Sequence, residues 1–230
     1  MTGAWRRLLV PAASTALMFA VLIGLGVWQI KRLAWKRAIL AEIGAAEQAP
    51  AVALPPVPTP FQKVALSGRL RGELRALYGA EVRDERSGPV LGGQLLVPLA
   101  REGAAPVIVD LGWVPADRRD TLPLADGETT IAGFVRPAEH PGLFSATDNP
   151  AARLFYTLDP VAVGAAFGLP SVAPFTLVAL GRTPAAGWPD PAHALPRPPN
   201  DHLQYALTWF GLAGVLLVVF GAHARKVFQP

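Results

Sequence analysis

The chain has 230 residues and no cysteine; 51% of its residues are apolar, 17% are charged, and the formal net charge is +4. About a quarter of the residues of an ordinary soluble domain are charged, so this composition argues against global disorder and against a wholly water-soluble protein. The missing thiols exclude disulfides, thiolate metal centres, iron–sulfur clusters and a cysteine nucleophile. The positive charge does not suit a nucleic-acid binder. All 17 acidic residues lie between Glu42 and Asp201, an interval with only 13 Lys and Arg. The other eight basic residues, Arg6, Arg7, Lys31, Arg32, Lys36, Arg37, Arg225 and Lys226, flank two uncharged runs. A nucleic-acid binder carries its basic surface on its folded domain, whereas basic clusters beside apolar segments suit lipid headgroups. The expected partners therefore include the lipid bilayer and no nucleic acid.

The first uncharged run, Leu8 to Ile30, has 23 residues, roughly 34 Å as a helix and enough to cross a hydrocarbon layer of ~30 Å. It is too long for the apolar region of a signal peptide, and basic residues rather than a small-residue cleavage site follow it. The second run, Leu203 to Ala222, has 20 residues. Trp5, Trp28, Trp35 and Trp209 stand near the ends of these runs, where aromatic belts form. Two crossings put both termini on one side and the middle of the chain on the other. The basic residues give conflicting votes on which side that is. Ala12, Ala16, Ala20 and Gly24 recur every fourth residue, and small residues let helices approach closely in lipid. The two helices are expected to pack along that ridge, although an alanine-rich composition produces the same spacing by chance.

Pro-rich stretches, Pro50 to Pro60 and Pro184 to Asn200, read as semi-stiff connectors. They separate helix 8–30 with its basic flank and linker 31–60, a domain at 61–183, a linker at 184–200, and helix 203–222. Inside the domain, Lys63–Leu70 alternates apolar and polar residues, and Leu74, Ala76 and Tyr78 continue the period. Val90–Leu99, Pro106–Val114, Thr129–Val135, Arg153–Leu158 and Phe175–Leu180 are further short apolar runs bounded by turn residues. Asp159 as N-cap and Pro160 at the first helical position open one helix, Val161–Phe167, which Gly168 and Pro170 stop. The predicted fold class is thus a membrane protein: two transmembrane α-helices flank a mainly antiparallel β domain, barrel or sandwich, with one short helix.

Enzymatic motifs are missing. No nucleophile elbow, phosphate loop, dinucleotide fingerprint or zinc-type histidine spacing occurs, and no acid–base constellation stands out, so the expectation is a protein that is not an enzyme. Gly92–Gly93 reads as a strand bulge. Asp110 interrupts the run Val107–Val114, either as a paired strand carboxylate or as a site residue. The unusual segment is Asn200–Gly211, NDHLQYALTWFG, which puts polar residues into the first turns of an apolar helix. His202, Tyr205 or Ala206, and Trp209 are spaced to share one face. An imidazole there suits an axial haem ligand, and equally an interfacial polar belt.

Several blocks along nearly the whole chain resemble the surfeit locus family of cytochrome c oxidase assembly factors. They are Leu25-Gly26-Val27-Trp28-Gln29 with Arg32, Trp35 and Lys36; Gly68-Arg69; Gly92-Gly93-Gln94 leading to Val97-Pro98-Leu99; Leu111-Gly112-Trp113-Val114-Pro115; and His202-Leu203-Gln204-Tyr205 with Thr208-Trp209-Phe210-Gly211. The sequence departs from the family pattern where Asp110 and Leu111 stand in place of Asn-Arg. The resemblance implies maturation of the catalytic subunit of a haem–copper oxidase, at the step where haem a enters. It implies that haem a is bound transiently, with His202 as axial ligand and Tyr205 and Trp209 beside it. The implied partners are that catalytic subunit and haem a synthase. The implied location is a bacterial inner membrane, with both termini cytoplasmic and the middle domain periplasmic. A scaffold that stabilises an oxidase subunit without holding haem is the alternative.

Overall fold

The computed structural model describes residues 2–85, 88–124, 127–142, 145–185, 187–197 and 199–229, with side chains from residue 6 onward. Trp5, one of the expected membrane-edge tryptophans, therefore lies outside the described side chains, and Ala186 and Pro198 of the second Pro-rich linker lie outside the described residues. The chain divides into two compact units, Met1–Gly44 with Arg197–Pro230, and Ala45–Pro196.

The helical unit contains two helices long and apolar enough to cross a membrane. α1 spans Thr2–Gln48, and its 47 residues make a rod of roughly 70 Å. The helix contains the whole uncharged run 8–30 and runs on through the basic flank. Residues 31–43 are mostly Ala, Leu, Lys, Arg, Glu and Ile with neither Gly nor Pro, and such residues keep a helix going once it is nucleated. α2 is the second helix of the chain, in the other unit (Pro160–Ala166). α3 spans His202–Phe228 and ends on Arg225 and Lys226, cations placed where the carbonyl end of a helix favours them. Trp28 and Trp35 are exposed, and the Arg32 guanidinium lies 3.9 Å from the centre of the Trp35 ring.

The second unit is a mixed β-sheet. Its strands are β1 (Val52–Ala53), β2 (Lys63–Leu70), β3 (Ala76–Glu85), β4 (Gly88–Arg101), β5 (Ala104–Pro115), β6 (Glu128–Pro137), β7 (Leu154–Phe155) and β8 (Phe175–Ala179). They lie in the order β1-β2-β6-β8-β5-β4-β3-β7, and β2 also pairs with β4. The pairings β2–β6–β8–β5–β4–β2 thus run in a closed circuit. The expected strands are present, with β7 shorter than the run that suggested it. The expectation of a mainly antiparallel sheet is met by most pairings, but β1–β2, β3–β7 and β5–β8 are parallel. The β5–β8 pairing is parallel because β6 and α2 intervene in the chain and carry it back across the sheet.

Alternation explains β2, which buries Val64, Leu66, Gly68 and Leu70 on one side. Residues Val107–Pro115 of β5 are buried on both sides, as a central strand requires. One face of the sheet builds the main core around Leu95, Val97, Leu99, Val107, Val109 and Leu177. The opposite face packs Leu96 and Ile108 against Phe155, Val163 and Phe167. The last two residues come from α2 and its end, so this short helix is a lid over half of the outer face. Its N-cap is as expected: Asp159 accepts from the Val161 N–H at 2.9 Å.

The second Pro-rich stretch is not a free connector. Residues 188–196 form a strap on the sheet: Trp188 packs on the main core, and Leu195 is buried. Trp113 and Asp190 exchange both backbone hydrogen bonds at 2.9 Å, and the Ala192 N–H donates to the Ala179 carbonyl while its own carbonyl accepts from the Gly181 N–H, both at 3.1 Å. The Asp190 carboxylate pairs with Arg83 at 2.8 Å and accepts from the Thr183 hydroxyl. Proline removes backbone donors but not acceptors, so a Pro-rich segment can still be anchored through its few N–H groups and a well-placed side chain.

Candidate functional site

In the helical unit, α1 covers Ala12, Thr15, Phe19, Leu22, Gly26 and Gln29, with Ile23 and Leu25 beside them, and α3 covers His202, Ala206, Trp209, Ala213, Leu216 and Phe220, with Phe210 beside them. The first-named residues of each helix are spaced by alternating threes and fours, which keeps a seam on one side of each. The expected ridge does not form this contact. Ala16, Ala20 and Gly24 are exposed, and only Ala12 is partly covered. A strict four-residue step advances about 40° beyond a full turn each time, so Gly24 lies about 120° around the helix from Ala12. The small residue that the packing uses is Gly26. A Cβ there would overlap the Phe210 ring, whereas nothing lies within 4 Å of a Cβ on Gly24.

That difference is testable. Gly26→Leu must push the Phe210 ring outward and is expected to cost 1–3 kcal/mol, the usual range for overpacking. Gly24→Leu should change stability by less than ~0.5 kcal/mol, as at an open surface site. Thermal unfolding midpoints of the two variants in one detergent make the comparison; equal midpoints would refute the assigned seam.

At the end of this seam, His202 and Gln29 meet. The His202 Nδ1–H donates to Gln29 Oε1 at 2.8 Å. Gln29, itself in an apolar run, is buried, and an amide so placed must be hydrogen-bonded. The amide oxygen is the acceptor, so Nδ1 carries a proton, and Nε2 is the ring nitrogen left free of this bond. In a neutral ring that free nitrogen is the one with which histidine ligates a metal, with an oriented outer partner on the other nitrogen. Ala206 and Trp209 share the inner face with His202, as the spacing allowed. Tyr205 does not; it is 55% exposed and points away from the seam, because a step of three from His202 falls on the other side of the contact line from a step of four. Asn200, just before the helix, has a buried side-chain oxygen without a hydrogen-bond partner.

A second constellation lies in the β unit and was only half legible beforehand. Strand register sets the residues in one row on the outer face. Tyr78 of β3 pairs with Gln94 of β4; Asp110 of β5 pairs with Val178 of β8; Phe134 of β6 also pairs with Val178, and Arg136 follows two residues on. This row floors a cleft of about 700 Å³, walled by residues 137–139 and by the strap. Arg136 reaches Glu139 at 2.5 Å and the Tyr78 hydroxyl at 3.0 Å, and the Tyr78 O–H donates to Glu139 at 3.1 Å. Glu139 also accepts from the Leu158 N–H at 3.0 Å. Burial pushes against ionisation of Glu139, but the Leu158 N–H and the Arg136 guanidinium outweigh it and hold the carboxyl below its ordinary range. Burial together with the Glu139 charge raises the Tyr78 phenol.

Asp110, left open by the sequence between a strand carboxylate and a site residue, sits on the floor of this cleft. It is 3% exposed and accepts one hydrogen bond, from the Gly112 N–H at 3.0 Å. Burial raises its carboxyl to about 6, against the opposing pull of that N–H and of Arg136. The bond closes an irregularity between β4 and β5, where Leu96 faces Asp110 but Gln94 faces Trp113. Gly92–Gly93 lies opposite another register shift, but the extra residue is in β3 between Tyr78 and Glu81, so the bulge is on the partner strand and not at the glycine doublet as expected. Asp148 accepts from the Tyr156 and Thr157 N–H groups, and His193 ties the strap through Gly181 and Asp190. These contacts are internal to the fold.

Comparison with known proteins agrees with these blocks. Residues 16–214 match the SURF1 family, a span that includes Gln29, the whole cleft and His202. A SURF1-like protein of Rickettsia conorii is 29% identical over 216 residues, covering 90% of this chain and 88% of the relative. Another, of Rickettsia felis, is 29% identical over 219 residues, covering 92% and 95%. The Homo sapiens Surfeit locus protein 1 is 26% identical over 232 residues, covering 91% and 73%. With a match over most of its length and relatives aligned nearly end to end, this chain belongs to the SURF1 family.

Proposed function

We propose that the protein is an assembly factor for cytochrome c oxidase that holds haem a at the outer edge of the bacterial inner membrane and hands it to the catalytic subunit. Both helices cross the bilayer, the termini are cytoplasmic, and the β unit is periplasmic. The observation that carries this reading is the His202–Gln29 bond. It leaves Nε2 as the free ring nitrogen at the edge of a mostly apolar helix pair, and a neutral Nε2 is what a ferric or ferrous porphyrin needs from one axial ligand. Trp209, half-buried on the same face, offers an aromatic surface for the macrocycle. Haem is too apolar to travel freely through water, so a carrier at the lipid surface keeps its faces covered. Gln29 is a positioning residue: it holds the imidazole ring and its tautomer, and a single histidine held this way leaves the cargo releasable to a client with two ligands. Haem a synthase is the partner that supplies the cargo. The protein performs no bond-making step and is not an enzyme.

The test is purification from cells that make haem a, followed by visible and resonance Raman spectra. Haem a bands should co-purify, His202→Ala should lower haem occupancy at least tenfold, and Gln29→Leu should keep some haem while shifting the iron–histidine stretching frequency. Absence of haem bands, or equal bands in His202→Ala, refutes haem carriage. If such a protein still co-purifies with the oxidase catalytic subunit, it is a scaffold.

A further inference from the structure

The outer-face cleft of the β unit has a charge pattern of its own. Three carboxylates line it, Asp110, Glu139 and Asp190, against two guanidiniums, Arg83 and Arg136. Both guanidiniums are already paired. Arg136 serves Glu139 at 2.5 Å, and Arg83 serves Glu81 at 2.9 Å and Asp190 at 2.8 Å. Asp110 is the carboxylate left over. Among the described residues it has no cation within 4 Å and no hydrogen bond beyond the one from Gly112, so its second oxygen is unpartnered on the floor of the cleft.

A buried carboxylate with no cation in contact is costly, and the carboxyl at about 6, raised by burial in spite of the more distant pull of Arg136, agrees with that. The bulge alone does not call for it, since an asparagine oxygen would accept the Gly112 N–H equally well. Apart from Tyr78 and Gln94, the other lining is apolar: the stacked Phe61 and Phe134 rings, 6.3 Å apart, with Pro137, Val178 and Pro191. A metal ion is a poor occupant, because no group of three His, Cys, Asp or Glu among the described residues could hold one. The site pairs one unmatched negative charge with walls suited to methylene groups. Long basic side chains have that shape, an apolar stem below a cationic head, and the cleft volume admits one with room for water.

We propose that this cleft receives a basic side chain of a partner protein, with its cationic head on Asp110 and its stem against Phe134 and Pro191. Arginine fits best, because a planar guanidinium can serve both carboxylate oxygens and also stack on an aromatic ring. The proposal does not depend on haem binding, and His202→Ala should leave it intact.

The experiment uses the full chain in detergent at pH 7.5, labelled for amide NMR, with N-acetyl-arginine N-methylamide as the probe. The citrulline analogue, which has the same shape without charge, is the control. The arginine probe should shift the Gly112 amide and its strand neighbours and bind at least tenfold more tightly than the citrulline probe. Asp110→Asn, which keeps an acceptor for Gly112, should abolish that preference while His202→Ala keeps it. Equal binding of the two probes by the native chain overturns the proposal whether or not any variant folds, and so does an undiminished preference in Asp110→Asn.

Discussion

Asp110→Asn is expected to stabilise the protein above pH 6 and to have little effect below pH 4. The native carboxyl titrates at about 6, against 3.8 for an unperturbed aspartate. The folded state therefore binds this proton more tightly than the unfolded state does. Stability from the group is fully present below the unfolded value and is lost as pH rises through about 6. A gap of about two units corresponds to about 3 kcal/mol, an amount that needs little discount because the side chain is almost wholly buried. Asparagine has the same shape, can accept from the Gly112 N–H and does not ionise. Urea unfolding of the full chain, followed by tryptophan fluorescence at pH 4 and pH 8, should give superimposed curves at the lower pH. At the higher pH the variant should be more stable by about 2–3 kcal/mol. A constant difference across that range would mean that the charge of Asp110 is not what the site pays to keep. A residue that lowers stability at neutral pH is more readily explained by binding than by folding.

Gly112→Ala should have the opposite sign and a similar size. Gly112 has φ of +115°, a region that residues with a Cβ avoid. A Cβ there would also overlap the backbone of Asp190 and Pro191. Backbone cannot rotate out of the way as a side chain can, so the strap must lift. Lifting it breaks the two 2.9 Å bonds between Trp113 and Asp190 and takes Asp190 away from Arg83, which keeps only Glu81. Strain of this kind costs 1–3 kcal/mol, and each lost hydrogen bond adds about 1 kcal/mol, for a total of roughly 3–5 kcal/mol. Unfolding midpoints measure the loss, and limited proteolysis measures the release, with new cleavage expected between residues 184 and 196. Native resistance to protease together with native stability would contradict the seating of the strap on Gly112. The Gly-Trp element of the SURF1-like block thus has a structural meaning here: the glycine makes room for the strap, and the tryptophan's backbone holds it.

Local features were legible in advance. The apolar runs of α1 and α3, the alternation of β2 and the Asp159 cap of α2 depend on residues within a few positions of one another. Features that depend on rotation or register were not. The ridge Ala12, Ala16, Ala20 and Gly24 was a reasonable guess from spacing, but a step of four drifts around the helix, and the partner's Phe210 selects Gly26. His202 stood out because histidine is rare in an apolar helix. Gln29 gave no comparable signal, since its bond spans 173 positions in the chain. Tyr205 and Ala206 were equal candidates for the inner face until the helix contact chose Ala206.

The sequence by itself determined two long apolar helices, a β-rich middle with one capped helix, the SURF1-like blocks and a histidine out of place among apolar residues. Periodicity, capping and composition are short-range properties of the chain. Tertiary structure alone decided the His202–Gln29 bond, the strap over Gly112 and the row Tyr78, Gln94, Asp110, Phe134 and Arg136 that floors the cleft. Strand register has a period of two, so a slip of one residue would send each of those side chains to the other face, and that register is set by pairings between segments far apart in the chain.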